Sequence, residues 1–289
     1  MKKNVFIGRF IVFLVFAVML FLTCVIVFFM SLNVVIIKTG DFSSNYTIQS
    51  ISDQNVISVN LPLEDYTENI EIEIKDELNY LTDLSAYTQY INPENRDEYL
   101  ILINVENQLE PTYIPDDLID VADTRKDGRA TQQLREYAAK ALEALLIEAR
   151  ANGFNDITVT SAYRSYEYQT TLYNQRVAMY PNLSNEEARA EAATVVAIPG
   201  TSEHQSGLCL DMHNLGGADV SFAKTEQAKW LAENSYKFGY ILRFPEDKIE
   251  ITGISFEPWH FRYVGRYHAT QMYELGLCFE EYMNHLNGG

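Results

Sequence analysis

The feature that most constrains this chain is a long apolar run near its N-terminus. Residues 10–30 carry no charge and nearly all of them are apolar. About 20 such residues cross a bilayer as a helix. Basic residues lie within residues 1–9, and acidic residues dominate after Lys38. The positive-inside rule therefore predicts that the N-terminus lies in the cytoplasm and the rest of the chain outside.

We therefore predict a single-pass protein of the cell membrane. Its cytoplasmic tail is at 1–9, its transmembrane signal anchor at 10–37, an extracytoplasmic stalk or accessory region at 38–96, and a folded domain at 97–289. A cleaved signal peptide is the competing interpretation. The apolar run is long for such a peptide, and no A-x-A-like cleavage site follows it.

Charge and cysteine content exclude other classes of protein. The 289 residues include 22 Lys and Arg against 40 Asp and Glu, which gives a net charge of −18. Nucleic-acid binders cluster Lys and Arg against phosphates, and this sequence has no such cluster, so we expect no nucleic-acid partner. There is no CxxC pair to form a cysteine zinc site. A disulfide between Cys209 and Cys278 is left open.

The residues after 96 mix strand and helix patterns without strict alternation. We expect an α+β fold in which helices flank a small mixed or antiparallel sheet, with the functional site in a cleft. Strands are predicted at 99–105, 157–160, 208–212, 240–244 and 260–263. Helices are predicted at 131–152, 166–180, from a capping box at Ser184 and Glu187 to near 199, and at 225–238. Within the stalk, alternating Ile70, Ile72 and Ile74 predict one half-buried strand.

Two short stretches carry the residues of a possible metal site. The stretch 202–211 contains His204 and Asp211, with Gly207 between them to let the chain turn, and 257–260 ends in His260. A catalytic zinc takes three protein ligands and leaves one position open. Two neutral imidazoles and one carboxylate would leave such a site with a charge of +1, which acidifies bound water and polarises a carbonyl.

The other histidines have simpler interpretations. His213 lies two residues after Asp211, on the same side of the predicted strand, and is the one rival ligand. His268 and His285 fall in a helical C-terminal region, where we expect them to be exposed. Glu257 lies three residues before His260 and could reach the bound water without binding the metal.

Three motifs together resemble a known family. They are S-E-H-Q-S-G-L-x-L-D at 202–211, E-P-W-H-F-R-Y-V-G at 257–265, and S-A-Y-R-S at 161–165 with Gln169 four residues on. In this order they resemble the VanY-type zinc D-alanyl-D-alanine carboxypeptidases of bacterial cell walls. The resemblance covers about 97–289. Cys209 stands where a small residue such as Ala is expected.

The resemblance implies a role for each matching residue. His204, Asp211 and His260 would bind Zn²⁺, and Glu257 would be the general base and then the general acid. Arg164 would stabilise the oxyanion of the tetrahedral intermediate. Ser202 and Gln169 would contact substrate.

The function implied is hydrolysis of the C-terminal D-Ala-D-Ala bond of peptidoglycan stem peptides, which lie outside the membrane. Two alternatives remain open. One is an L,D-carboxypeptidase that trims the tetrapeptide stem by the same chemistry. The other is a non-catalytic zinc-containing binding module, against which Glu257 and Arg164 argue because a binder needs neither.

Overall fold

The computed structural model describes residues 34–37, 45–52, 55–62 and 80–288. The chain divides into two units, Met1–Asn79 and Tyr80–Gly289. The strands described in the first unit are β1 (Val34–Ile37), β2 (Asn45–Ser52) and β3 (Asn55–Pro62). They form an antiparallel sheet in the order β1-β2-β3, and β2 and β3 make a hairpin in which Ser52 pairs with Asn55.

Two sequence predictions fall outside the described residues: the apolar run at 10–30 and the strand at 70–74. The last four residues of the predicted anchor, Val34–Ile37, form strand β1. In the part of the chain that the structure describes, no helix combines the length and apolar character needed to cross a membrane.

The second unit mixes helices and strands. Its strands are β4 (Leu118–Asp120), β5 (Gln133–Arg135), β6 (Thr158–Ser161), β7 (Cys209–His213), β8 (Tyr240–Leu242) and β9 (His260–Tyr263). Its α-helices are α1 (Thr88–Ile91), α2 (Glu136–Ala151), α3 (Tyr166–Val177), α4 (Asn185–Ala193), α5 (Glu226–Asn234), α6 (Ile249–Thr252), α7 (Arg266–Leu275) and α8 (Phe279–Leu286).

The central sheet of this unit has four strands in the order β6-β7-β9-β8, and every neighbouring pair is antiparallel. Strands β4 and β5 form a separate antiparallel pair. The predicted α+β class is therefore confirmed, with antiparallel rather than mixed pairing. Four predicted strands, at 157–160, 208–212, 240–244 and 260–263, correspond to β6, β7, β8 and β9.

Helix α2 supplies much of the core behind this sheet. Ala138, Leu142 and Leu145 are among its fully buried residues, at the three- and four-residue spacing that indicated a helix. The helix begins at Glu136 rather than at 131, because residues 133–135 pair with β4 as strand β5. The helical pattern was therefore predicted correctly, but its start was not.

The predicted strand at 99–105 is wrong. Arg96–Tyr99 forms a 3₁₀ turn, and residues 100–103 follow without a strand partner. The carbonyls of Tyr99 and Ile101 accept hydrogen bonds from the buried guanidinium of Arg262, at 3.1 and 2.8 Å. The segment is apolar because it packs against the core. Its backbone carbonyls, however, accept hydrogen bonds from a side chain, whereas those of a strand would accept them from a neighbouring strand.

Residues 80–96, assigned from sequence to the stalk, belong to the second compact unit. The ring of Tyr80 packs on Phe238 with their centroids 5.2 Å apart. The buried carboxylate of Glu148 accepts hydrogen bonds from the backbone amides of Leu81 and Thr82 at 2.6 and 3.1 Å. These contacts tie residues 80–82 to helix α2 and to the turn that contains Phe238.

Helix α4 begins at the predicted capping box. The Ser184 side chain accepts a hydrogen bond from the Glu187 amide, and the Glu187 carboxylate accepts one from the Ser184 amide. The helix ends at Ala193, earlier than the predicted end near 199. The residues between this helix and His204 form the loop that leads into the site.

Candidate metal centre

Asp211 and His260 are brought together by strand register. They occupy paired positions on the antiparallel strands β7 and β9, so their side chains project from the same face of the sheet. Nδ1 of His260 lies 3.1 Å from Oδ1 of Asp211. The His260 side chain is buried and the Asp211 side chain is mostly buried.

His204 reaches the same point from a 3₁₀ turn, Glu203–Ser206, that ends at Gly207. Gly207 has a φ of +67°, and a Cβ there would lie 2.9 Å from Cδ2 of Leu118. Glycine is therefore needed both for the backbone conformation and for the close approach. The turn places Nε2 of His204 3.6 Å from Oδ1 of Asp211.

The hydrogen bonds of His204 fix which of its nitrogens can bind a metal. Nδ1 lies 2.6 Å from the carbonyl oxygen of Ala162, which can only accept a hydrogen bond. Nδ1 must therefore carry the proton, which leaves Nε2 with a free lone pair. This nitrogen faces Asp211. The ring centroids of His204 and His260 are 5.0 Å apart.

The electrostatics of this cluster favour a bound cation. Burial alone would raise the pKa of Asp211, but His204 and His260 hold it well below its usual range. Burial alone would lower the pKa of His260, but Cys209 and Asp211 raise it well above its usual value. Positive charge is therefore drawn to this point, and the two imidazoles and the carboxylate fit Zn²⁺, which binds these donors in catalytic sites.

Cys209 joins the donors in a way that the sequence did not predict. One ring nitrogen each of His204 and His260 and the sulfur of Cys209 all lie within 4.8 Å of one another. Cys209 and Asp211 are two residues apart on β7, so their side chains lie on the same face of the strand. Asp211, the third ligand expected from the sequence, contacts both imidazoles through its carboxylate, so the structure offers Asp211 and Cys209 as candidates for that position. Cys209 and Cys278 are both free thiols, so they do not pair.

Glu257 lies beside the donor cluster, as the sequence suggested. Its Oε2 is 3.6 Å from Nδ1 of His260, and the His260 amide donates to the Glu257 carbonyl at 3.1 Å. Burial raises the pKa of the Glu257 carboxyl; His260 opposes this shift and Asp211 adds to it. A carboxyl with a raised pKa is suited to accept a proton and return it near neutral pH.

Arg164 is held against the same cluster. Its backbone amide donates to the carbonyl of His204 at 3.1 Å. Its Nε is buried and has no hydrogen-bond partner among the described residues. The charge of Arg164 also opposes protonation of His204 and of Glu257, so the guanidinium is within electrostatic reach of both. A donor without a partner here is available to a substrate oxygen.

The two predicted substrate-contact residues are both buried. Ser202 comes directly before the turn that carries His204. The Gln169 amide nitrogen donates to the Ala197 carbonyl at 2.7 Å, which ties α3 to the loop before His204. Its Oε1 is buried without a partner among the described residues. Substrate contact by Ser202 and Gln169 stays a prediction.

His213 is not a ligand. Its Nδ1 lies 3.3 Å from Nη2 of Arg125 and its Nε2 lies 3.2 Å from Oγ1 of Thr160. Burial, reinforced by Arg125, lowers the pKa of His213, so this histidine stays neutral and bonded within the core.

The expectation that His268 is exposed is wrong. Only 2% of its surface is accessible. Its Nδ1 lies 2.8 Å from the hydroxyl of Tyr282 and its Nε2 lies 3.2 Å from Oδ1 of Asp97. His285 is exposed as expected.

A buried ion network behind His260 was missed from the sequence. Glu203 is 4% accessible, and its Oε1 lies 2.8 Å from Nε of Arg243 and 3.1 Å from Nη1 of Arg262. Arg243 also pairs with Glu280 at 2.6 Å. Glu203 and Arg262 lie inside the motifs at 202–211 and 257–265, which was the available signal. Nothing in the sequence indicated that they pair with each other or with Arg243.

Comparison with known proteins gives a consistent family. The VanY family, D-alanyl-D-alanine carboxypeptidase, matches residues 131–266. A D-alanyl-D-alanine carboxypeptidase of Enterococcus faecalis is 42% identical over 187 residues, which span 64% of this chain and 65% of that protein.

Solved structures extend this similarity to three dimensions. A vancomycin-resistance D,D-pentapeptidase, VanY, in complex with Zn(II) is 41% identical with a TM-score of 0.54, covering 64% of this chain and 98% of that one. The LD-carboxypeptidase LdcB is 31% identical with a TM-score of 0.59, covering 68% of this chain and 95% of that one.

Proposed function

This chain belongs to the VanY family of D-alanyl-D-alanine carboxypeptidases, and we propose that it removes the C-terminal D-alanine from peptidoglycan stem peptides in a zinc-dependent reaction. The observation that carries the proposal is the convergence of His204, Asp211 and His260 on one point. The Glu257 carboxylate lies beside that point. Arg164, whose buried Nε has no hydrogen-bond partner among the described residues, is tied to His204 through its backbone amide.

His204, through Nε2, Asp211, and His260, through Nδ1, would hold the zinc ion. When bound, zinc polarises the scissile carbonyl and acidifies the attacking water. The remaining work falls to Glu257 and Arg164, because neither belongs to the proposed ligand set.

Glu257 would move the proton. Its carboxylate accepts a proton from water as the water oxygen forms a bond to the carbonyl carbon. It then gives that proton to the amine nitrogen as the C–N bond breaks, releasing D-alanine. The raised pKa of Glu257 supports this role, because the carboxyl must hold a proton between the two steps.

Arg164 would stabilise the charge that develops on the carbonyl oxygen. A guanidinium keeps its charge at working pH and presents several N–H donors. Its hydrogen bonds strengthen as the oxygen becomes negative, so its contribution is larger in the transition state than in the ground state. The Arg164 amide bonded to His204 supports this role, because it ties the arginine to a proposed ligand.

The function is tested by incubating the purified protein with a pentapeptide stem ending in D-Ala-D-Ala, with and without a chelator. Release of D-alanine that stops with the chelator and returns with added zinc supports the proposal. Absence of release from the zinc-loaded protein contradicts it and favours the binding module.

A second activity, L,D-carboxypeptidase cleavage of the tetrapeptide stem, is favoured by the similarity to LdcB. The donor cluster sets the chemistry, but it does not distinguish the stereocentre on the N-terminal side of the bond. Comparing kcat/KM for pentapeptide and tetrapeptide stems decides between the two activities. A higher kcat/KM for the tetrapeptide would show that the protein is an L,D-carboxypeptidase and not a D,D-carboxypeptidase.

We also propose that the chain is anchored in the cell membrane by the uncharged run at residues 10–30, with the second unit outside. The uncharged run and the basic residues before it support this topology, which would keep the site on the side where stem peptides occur. External protease should digest the second unit in intact cells stripped of their wall. Recovery of a trimmed protein from the medium would support a signal peptide instead.

A further inference from the structure

Two buried polar atoms without hydrogen-bond partners face each other behind the metal centre. Nε2 of His260 and Oε2 of Glu203 both lack a partner among the described residues, and they lie 3.7 Å apart. Buried polar groups are rarely left unbonded. A movement of a few tenths of an ångström would join these two in a hydrogen bond.

The opposite nitrogen of His260 faces the site. Nδ1 lies 3.1 Å from Asp211 and 3.6 Å from Glu257. A neutral imidazole has one donor nitrogen and one acceptor nitrogen. For Nδ1 to offer a lone pair to a metal, the proton must therefore be on Nε2, which lies 3.7 Å from the carboxylate oxygen Oε2 of Glu203.

Glu203 is held in place as an anion. Arg243 and Arg262 contact its Oε1 at 2.8 and 3.1 Å, and both arginines are almost fully buried. Arg262 is fixed in turn by the carbonyls of Tyr99, Ile101 and Tyr263. Oε1 is therefore occupied by the arginines, while Oε2 is left pointing at His260.

We propose that Glu203 is a positioning residue for the metal centre. It accepts the Nε2–H of His260, and so fixes both the tautomer and the ring orientation that present Nδ1 to zinc. The inference rests on the proposed function only in assuming that His260 binds zinc. Carboxylates that accept from a metal-bound histidine raise the basicity of that ligand, and losing one weakens metal binding by about 10–100-fold.

The chain offers a matched control in Glu280. Its carboxylate also pairs with Arg243, at 2.6 Å, from helix α8. In the described residues it makes no ion pair with His260. Glu280→Gln and Glu203→Gln therefore each remove one negative charge from the same arginine, but only Glu203→Gln weakens the acceptor at His260.

The test is a chelator competition that measures the zinc affinity of the folded full-length protein without substrate. We expect Glu203→Gln to weaken zinc binding by about 10-fold or more and Glu280→Gln to stay close to the original affinity. Equal zinc affinity in the two variants overturns the proposal. Substrate is absent, so the result does not depend on which peptide the enzyme cleaves.

A measurement on the unmodified protein covers the case in which Glu203→Gln does not fold. Proton–nitrogen NMR of the zinc-loaded protein labelled with ¹⁵N-histidine should show the His260 proton on Nε2, slow to exchange and shifted by a carboxylate hydrogen bond. Finding the proton on Nδ1 overturns the proposal, because Nε2 would then face the metal and Glu203 could not accept from it.

Discussion

Asp211 and His260 are directly paired across two antiparallel strands, with Nδ1 of His260 3.1 Å from Oδ1 of Asp211. Strand pairing fixes the spacing of these two donors before any metal arrives. His204 completes the set from a turn that is anchored by its own hydrogen bond to Ala162. The centre is therefore preorganised by backbone structure.

Removing any of the three ligands should abolish stoichiometric zinc binding. His204→Ala, Asp211→Ala and His260→Ala each leave two donors, which is too few for a tight site. Elemental analysis of folded, zinc-exposed protein measures the loss. Cys209→Ala is the control for the choice of Asp211 and should retain about one zinc per chain. Zinc loss in Cys209→Ala together with retention in Asp211→Ala would make the sulfur the third ligand.

Replacing Glu257, the proposed proton acceptor, should slow turnover strongly but leave the zinc content unchanged. Glu257→Gln retains size and removes the proton acceptor, so kcat should fall by about 10²–10⁴-fold with unchanged zinc content. Steady-state kinetics on a stem pentapeptide measure the fall. Glu250→Gln, at an exposed position, is the control and should behave like the unmodified protein. A Glu257→Gln enzyme with near-normal kcat would move the general base elsewhere.

Arg164→Lys should lower kcat although it keeps the charge. A lysine ammonium lacks the planar fork of N–H donors, and loss of one oxyanion donor costs about 10²–10³-fold in kcat. KM should change less, because the ground-state carbonyl gains less from the contact. Arg150→Lys, at the end of α2, is the control. A rise in KM alone would mean that Arg164 stabilises the bound substrate and the transition state equally.

Gly207→Ala should destabilise the protein and weaken zinc binding together. The backbone at Gly207 has a φ of +67°, and a Cβ would meet Leu118 at 2.9 Å. The left-handed conformation alone costs a non-glycine residue about 1–3 kcal/mol. Gly216→Ala is the control, since a Cβ there meets nothing within 4 Å. Denaturant unfolding and zinc competition on both variants measure the two effects. Equal unfolding midpoints would show that the turn tolerates a side chain.

Acid should destabilise the fold partly through His268. Burial lowers the pKa of His268, and the Asp97 carboxylate opposes this shift. The unfolded chain therefore takes up a proton near pH 6.5 that the folded chain does not. The free energy of unfolding contributed by this residue is fully present above that pH and falls as the pH drops below it.

The measurement for His268 is the slope of unfolding free energy against pH. His268→Gln should flatten the slope below about pH 6.5, whereas His285→Gln, at an exposed position, should leave it unchanged. An identical slope in the His268 variant would assign the acid sensitivity to other groups.

Local patterns in the sequence singled out most of the residues that meet at the candidate metal centre. The three motifs singled out His204, Asp211, His260, Glu257 and Arg164, and the structure brings all five together. Strands β6, β7, β8 and β9 were predictable because side-chain pattern and local backbone preference act over a few residues. The capping box at Ser184 was predictable for the same reason, since its two partners are three residues apart.

Tertiary structure alone decided the features that depend on distant partners. The apolar segment after Tyr99 resembled a strand, but the Arg262 side chain, more than 150 residues away in sequence, satisfies its carbonyls. The helical pattern predicted His268 at the surface, but in the structure its ring nitrogens contact Asp97 and Tyr282. Glu203 gained its role only when Arg243, Arg262 and His260 met around it. Burial and ion pairing between distant segments produce no periodic pattern in a single sequence, because these contacts form only when the chain folds and packs.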